Sequence, residues 1–171
     1  VKQGQELEAL LDEIECVRAP LIMAGQVYEV GPMTLRVLSP ERRQLEQLLH
    51  KWPTEVSSAD TSSHDNDYHY SLNEIWENDT FESDSSIYNG SSIAFLLEAD
   101  DKKMLFLGDA NDLVVTKNLR MLGYSETNKL KLDLVKVSHH GSQYNTSSEF
   151  LSILESPCYV ISTNGSKHGL P

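Results

Sequence analysis

The sequence contains very little cysteine. Only Cys16 and Cys158 occur among the 171 residues, and they lie far apart in the chain. This spacing does not match the clustered cysteines of zinc sites, redox motifs or disulfide-stabilised small domains, which argues against those classes. We therefore expect both thiols to be reduced and to pack in the core.

Positive charge is also scarce. Lys and Arg number 14 against 26 Asp and Glu, so the formal net charge is −12. This balance disfavours passive attraction to nucleic acid or to an anionic membrane. A phosphate-bearing substrate would therefore need a metal ion or a local basic patch in order to bind.

Long apolar runs are missing from the sequence. No stretch approaches the roughly 18 apolar residues that a membrane-spanning helix needs. The first residues do not have the pattern of a signal peptide. These observations predict a cytoplasmic protein with no membrane span in this chain.

The pattern of apolar residues predicts a mixed α/β domain. Helical spacing predicts helices, short β-rich runs bounded by turn residues predict strands, and T-S-S-E at 146–149 matches the capping box of a helix start. The predicted elements are a helix at 4–16, a hairpin at 26–30 and 33–38, a helix at 42–51, a hairpin at 92–98 and 103–107, a helix at 112–122, a strand at 134–138, a helix at 147–154 and a strand at 159–163.

Residues 41–90 interrupt this pattern, and we interpret them as an acidic insertion or long loop within the single domain. Residues 52–90 contain nine acids and no Lys or Arg, together with many Ser, Asn and Thr. Nine acids without partners are costly to bury. We therefore expect this stretch to lie at the periphery of the domain.

Two strand ends carry side chains that are suited to chemistry. The run V-K-V-S-H-H-G-S places His139 and His140 after one apolar strand, and K-M-L-F-L-G-D-A places Asp109 after another. Taken alone, an Asp after Gly is often a helix cap or turn residue, and paired histidines can simply hydrogen-bond. Together, imidazoles and a carboxylate on strand ends predict a site for zinc, manganese or iron.

Five segments resemble the metallo-β-lactamase fold hydrolases. They are N-G-S-S-I-A-F-L-L-E from Asn89, G-D-A at 108–110, H-H-G-S at 139–142, S-S-E-F at 147–150 and I-S-T-N-G at 161–165. The most similar branch includes the hydrolase domain of the DNA-uptake protein ComEC and the phosphorylcholine esterases. The resemblance is loose over 26–40 and close over 89–171.

The resemblance implies an αββα sandwich with two divalent metal ions, zinc first and manganese as the alternative, that activate water. Asp109 would bridge the metals, His140 would ligate one of them, and His139 would contact the substrate phosphoryl group or act as an acid near the leaving group. The residues implied to orient ligands or contact substrate are Ser142, Asn164 and His168. The implied substrate is a phosphodiester or other phosphate compound, with nucleic acid among the candidates.

The sequence departs from the family in two places. The H-x-H-x-D-H motif, which supplies four ligands, is not present, and the family's late G-H-P is G-L-P at 169–171, with His168 just before it. Either the chain is the C-terminal half of a longer hydrolase, inactive without its N-terminal half, or it is an inert protein-interaction module with residues 52–90 as an acidic docking surface. Val1 as the first residue favours the former expectation.

Overall fold

The computed structural model describes residues 2–16, 18, 20–51, 70–78 and 80–163. The helices in this part are α1 (Lys2–Glu13), α2 (Arg42–Lys51), α3 (Leu72–Asn78), α4 (Ile87–Gly90), α5 (Asp112–Met121) and α6 (Ser148–Ser152). The strands are β1 (Val27–Val30), β2 (Met33–Ser39), β3 (Ala94–Ala99), β4 (Lys102–Phe106), β5 (Leu130–Lys131), β6 (Leu134–Lys136), β7 (Leu154–Glu155) and β8 (Tyr159–Val160). None of the helices in the described residues is long and apolar enough to cross a membrane.

Six strands form one mixed sheet in the order β1-β2-β3-β4-β6-β8. The hairpins β1–β2 and β3–β4 pair antiparallel, and β2 joins them by pairing antiparallel with β3. Strand β6 runs parallel to β4, and β8 runs parallel to β6. Strands β5 and β7 form a separate parallel pair. The structure confirms the α/β class and both predicted hairpins.

One face of the sheet packs against α5 and α6. Leu96, Leu105 and Val135 are cross-strand neighbours and are at most 1% exposed. They join Leu119 of α5 and Phe150 of α6 in one apolar cluster. Removing this apolar surface from water is the main driving force for the fold.

The opposite face of the sheet is also apolar but is less well covered. Leu35, Leu97 and Met104 are aligned across β2, β3 and β4 and are half-buried. Beside them, the rings of Phe95 and Phe106 stack with their centroids 5.1 Å apart. We call these five residues the second apolar face. Apolar side chains on both faces are typical of strands that are covered on both sides.

The expectation that the two cysteines pack in the core is wrong. Cys16 and Cys158 are both exposed. Cys16 follows α1, whose residues Leu7 and Leu10 are themselves 55% and 52% exposed, so this helix does not bury its apolar stripe within the described residues. Cys158 immediately precedes β8, which is an edge strand of the sheet.

The predicted capping box is displaced by one residue. The cap of α6 is Ser147, whose Oγ accepts a hydrogen bond from the Phe150 backbone N–H at 3.1 Å. The hydroxyl of Thr146 is buried without a partner among the described residues. Glu149 accepts a hydrogen bond from Arg120 at 3.1 Å instead of closing the box. The helix also ends earlier than predicted, because β7 begins directly after it.

Candidate active site

Three parallel strands end at the same edge of the sheet. Because β4, β6 and β8 run in one direction, the residues that follow them lie along one edge: Asp109 after β4, His139 and His140 after β6, and Ser162 after β8. We call this the carboxyl edge. Ligands of open α/β sheets bind at such an edge, where loops from neighbouring strands surround a crevice.

The two histidines lie in a turn whose backbone is unusual for residues with side chains. His139 and His140 have φ angles of 41° and 57°, and such conformations cost of order 1–3 kcal/mol each. The turn is held by hydrogen bonds of 2.9 Å from His139 N to the Gly108 carbonyl and from Ser142 N to the His139 carbonyl. Strained backbone of this kind is concentrated at functional sites, which supports a functional role for the edge.

Beside His139 lies a carboxylate that the sequence analysis did not single out. Oδ2 of Asp84 accepts hydrogen bonds from Nδ2 of Asn89 at 2.7 Å and from Nδ2 of Asn145 at 3.1 Å. It also lies 3.9 Å from Nδ1 of His139. That ring nitrogen lies 3.0 Å from Oδ1 of Asn145 and 3.4 Å from Nδ2 of Asn89. We call these four residues the Asp84 cluster.

The Asp84 cluster is arranged to keep its carboxylate ionised. The side chain of Asp84 is only 13% exposed, whereas that of His139 is 37% exposed. Burial acts to raise the pKa of Asp84, but hydrogen bonds from Asn89, the Ser86 backbone and Asn145, together with the charge of a protonated His139, outweigh it and hold the pKa below its ordinary value. A negative charge therefore lies next to the imidazole of His139 at neutral pH.

The loop that carries Asp84 is tied to the rest of the site. The Asp84 backbone N–H donates to the Tyr144 carbonyl at 2.8 Å, and the Asp84 carbonyl accepts from Nδ2 of Asn111 at 2.6 Å. Ser83 accepts from Asn111 and donates to Asp112, both at 3.1 Å. These bonds join the loop before α4 to the first turn of α5 and to the turn that follows β6.

Asp109 places a carboxylate at the carboxyl edge without using it structurally. Its backbone carbonyl accepts from Nδ2 of Asn145 at 3.4 Å, and its half-buried carboxylate has no hydrogen bond or ion pair with any described residue. The cap of α5 is Asn111, whose Oδ1 accepts from Leu113 N at 2.9 Å. Asp109 is therefore not the helix cap that was one alternative interpretation, but it does lie in the turn after β4, which was the other. Its carboxylate oxygens have no partner among the described residues.

His140 is exposed and is oriented by the loop after β8. Its Nδ1 contacts the Ser162 carbonyl oxygen and lies 3.3 Å from the Ser162 hydroxyl. The ring centroids of His139 and His140 are 6.1 Å apart. When Nδ1 donates to a carbonyl, Nε2 is left with its lone pair, which is the arrangement common among metal-binding histidines.

The structure describes only one of the three remaining predicted site residues. Ser142 shapes the turn, because its Oγ accepts a hydrogen bond from Tyr144 N at 3.3 Å. Asn164 and His168 lie outside the described residues, so their predicted contacts with ligand or substrate stay predictions.

Sequence reasoning missed Asp84, Asn89 and Asn145 as members of the site. Asp84 belongs to a stretch whose composition indicates a solvated loop. One signal was available: Asp84 lies two residues before Ser86, the cap of α4, and a carboxylate at that position often accepts from a nearby backbone N–H. Asn89 opens the first segment of the resemblance, and Asn145 lies in the turn that begins at Ser142.

The described residues contain no group of three or more His, Cys, Asp or Glu side chains that could hold a metal ion. No protein-family model matches this chain, and comparison with the curated proteins and with the solved structures finds no match either.

Proposed function

We propose that this chain supplies one half of the active site of a metal-dependent hydrolase of the metallo-β-lactamase superfamily, acting on a phosphodiester or other phosphoester. One observation carries the proposal: Asp109, His139 and His140 follow the adjacent parallel strands β4 and β6 at one sheet edge. Residues fixed on strand ends are held more rigidly than residues on free loops.

The donors at this edge suit a divalent cation. Asp109 offers a carboxylate with no partner among the described residues, and His140 offers Nε2 while its Nδ1 is engaged by Ser162. Carboxylate and neutral imidazole are usual ligands of zinc, with manganese as the alternative. When bound, two such ions would supply an activated water and stabilise charge on the phosphoryl oxygens.

Two donors are too few for a catalytic zinc site, which usually takes three ligands from protein. The proposal therefore needs further ligands beyond the described residues, and the H-x-H-x-D-H motif of the resembling family would supply them. On this account the partner of this chain is the N-terminal half of the same fold, and the chain alone is inactive.

The second apolar face supports the proposal that this chain forms one half of the fold. Leu35, Phe95, Leu97, Met104 and Phe106 present an apolar surface on the side of the sheet opposite α5 and α6. Two sheets that pack face to face bury such surfaces about 10 Å apart. An αββα sandwich would place the second sheet here.

His139 is proposed to act on the substrate rather than on the metal. Its Nδ1 is occupied by the Asp84 cluster, so Nε2 is the ring atom left to face the substrate. Nε2 would donate to a phosphoryl oxygen or a leaving group only in the form that carries a proton there, because an imidazole nitrogen with its lone pair can only accept. The net charge of −12 repels phosphate. On this proposal the metal ions, rather than a local basic patch, would provide the attraction for a phosphate-bearing substrate.

Hydrolysis of bis(p-nitrophenyl) phosphate by a protein that carries both halves tests the proposal. We expect turnover that requires zinc or manganese and that falls about 100-fold or more in Asp109→Ala, because Asp109 would help to hold the metal ions that activate water. Asp133→Ala is the control, since Asp133 pairs with Lys102 at 3.0 Å and lies in the connection before β6, away from the carboxyl edge. Metal-independent turnover, or turnover that survives Asp109→Ala, contradicts the proposal. Stoichiometric protein capture without metal binding would favour the interaction module.

A further inference from the structure

We infer that Asn145, oriented by Asp84, holds His139 in the tautomer that carries its proton on Nδ1, so that Nε2 presents the lone pair. Asn145 and Asp84 are thus positioning residues. The catalytic meaning of this arrangement rests on the proposed function, whereas the tautomer itself depends only on the hydrogen bonds.

The orientation of the Asn145 amide is fixed by two acceptors. One end of the amide lies 3.1 Å from Oδ2 of Asp84 and 3.4 Å from the Asp109 carbonyl oxygen. An ionised carboxylate and a carbonyl can only accept hydrogen bonds. That end must therefore be the NH₂ group, and the oxygen of the amide must face His139.

The amide oxygen in turn fixes the proton of the imidazole. Oδ1 of Asn145 lies 3.0 Å from Nδ1 of His139, and an oxygen acceptor requires a protonated nitrogen opposite it. Nδ2 of Asn89 is a weaker competitor for Nδ1, because it lies 3.4 Å away and already donates to Asp84 at 2.7 Å. The proton is accordingly on Nδ1.

Burial makes this arrangement rigid. Asn145 is only 1% exposed, so bulk water cannot replace the hydrogen-bond partners of its side chain. Its backbone N–H also donates to the Ser142 carbonyl at 3.1 Å. Rotating the buried side-chain amide by 180° would break its hydrogen bonds and would therefore cost free energy.

Nε2 is the ring nitrogen of His139 that the Asp84 cluster does not contact. His139 is 37% exposed, and its Nε2 has no hydrogen bond to any described residue. In the inferred tautomer Nδ1 carries a proton whether the ring is neutral or charged. The Asn145 acceptor therefore serves both forms of the ring.

The test is a long-range ¹H–¹⁵N spectrum of the chain labelled at histidine nitrogens, which distinguishes the two tautomers. We expect His139 to show a protonated Nδ1 and an unprotonated Nε2. Asn145→Ala removes the acceptor, and Asp84→Ala removes the carboxylate that orients the amide; both should give a mixture of tautomers at His139. His140 is an internal control, because Ser162 and not Asn145 holds its Nδ1.

Asp112→Asn is the control variant. Asp112 is 2% exposed and bonds to Ser83, next to Asp84, without contacting Asn145. It should leave the His139 signals unchanged. A wild-type His139 protonated on Nε2 overturns the inference, and so do unchanged His139 signals in a folded Asn145→Ala or Asp84→Ala protein. If Asn145→Ala does not fold, the wild-type spectrum and Asp84→Ala decide.

The two proposals fail in different ways. If Nδ1 of His139 is protonated but the protein hydrolyses no phosphoester, the inference about the tautomer stands and the proposed function is wrong. If the protein shows metal-dependent turnover but His139 carries its proton on Nε2, the inference about the tautomer is wrong and the proposed function stands.

Discussion

Oδ2 of Asp84 lies 3.9 Å from Nδ1 of His139, which joins the loop before α4 to the turn after β6. The same oxygen receives hydrogen bonds from Asn89 and Asn145. Asp84 therefore links the acidic stretch, read from the sequence as a peripheral loop, to the candidate active site. Its charge also makes the stability of the protein dependent on pH.

Asp84→Asn should lower the free energy of unfolding by about 1–3 kcal/mol at neutral pH, because hydrogen bonds to a charged acceptor are replaced by weaker ones. The folded pKa of Asp84 lies below the ordinary 3.8. The stabilisation is therefore fully present above pH 3.8 and is lost as the pH falls through the lower folded pKa. Denaturant titrations of both proteins, at neutral pH and in acid, measure this difference.

Asp101→Asn is the control for that experiment, since the Asp101 side chain is 84% exposed and lies 3.8 Å from Lys102. Exposed pairs of this kind contribute little. A difference between wild type and Asp84→Asn that stays constant into acid contradicts the account of the Asp84 cluster.

Gly108→Ala should destabilise the protein more than Gly31→Ala. Both glycines have left-handed backbone, with φ of 55° and 59°, which costs a side-chain residue about 1–2 kcal/mol. At Gly108 an added Cβ would also lie 3.0 Å from the Ile93 carbonyl, whereas nothing lies within 4 Å at Gly31. Thermal unfolding of the two variants measures the difference, and equal losses would show that the carboxyl edge is not tightly packed there.

Leu97→Ala probes the second apolar face. In this chain alone we expect a smaller loss than the roughly 2–5 kcal/mol of a buried leucine, because Leu97 is half-buried while Leu105 on the opposite face is fully buried. Denaturant unfolding of Leu97→Ala and Leu105→Ala measures the two losses. In a protein that carries both halves, the Leu97→Ala loss should approach that of Leu105→Ala; an unchanged gap argues against a second sheet.

Ser147→Ala should cost about 1 kcal/mol, because it removes the hydroxyl that caps α6 through the Phe150 N–H. Thr146→Val is the matched comparison, since the Thr146 hydroxyl is buried without a partner among the described residues. Replacing an unsatisfied polar group by an apolar one of the same shape is neutral or stabilising. If Thr146→Val lowered the unfolding midpoint more than Ser147→Ala, the cap would be Thr146, as the sequence predicted.

Local features of the fold could be predicted from the sequence. The hairpin β3–β4 follows from two β-rich runs separated by a short polar turn, and helix α5 follows from apolar periodicity. The position of His139 and His140 at a strand end also followed from the pattern. Strands β5 and β7 were missed, and β8 covers only two residues of the strand predicted at 159–163. Two-residue strands are too short for periodicity to define them.

Long-range contacts explain what the sequence could not predict about the site. Asp84 meets His139 and Asn145 only because the loop before α4 is tied to α5 and to the turn after β6. No local pattern encodes those ties, and acidic composition alone indicates a solvated loop. Cys158 was misplaced for a related reason, since whether β8 is an edge strand depends on the neighbours the sheet provides.

The metal content of the protein tests the central claim most directly. We predict two zinc or manganese ions per molecule, by elemental analysis after dialysis, in a protein that carries both halves of the site, and loss of bound metal in Asp109→Ala and His140→Ala. This chain alone should bind either metal weakly and without fixed stoichiometry, because Asp109 and His140 offer too few donors. Two tightly bound ions that survive both substitutions, or no bound metal in the protein with both halves, would contradict the account.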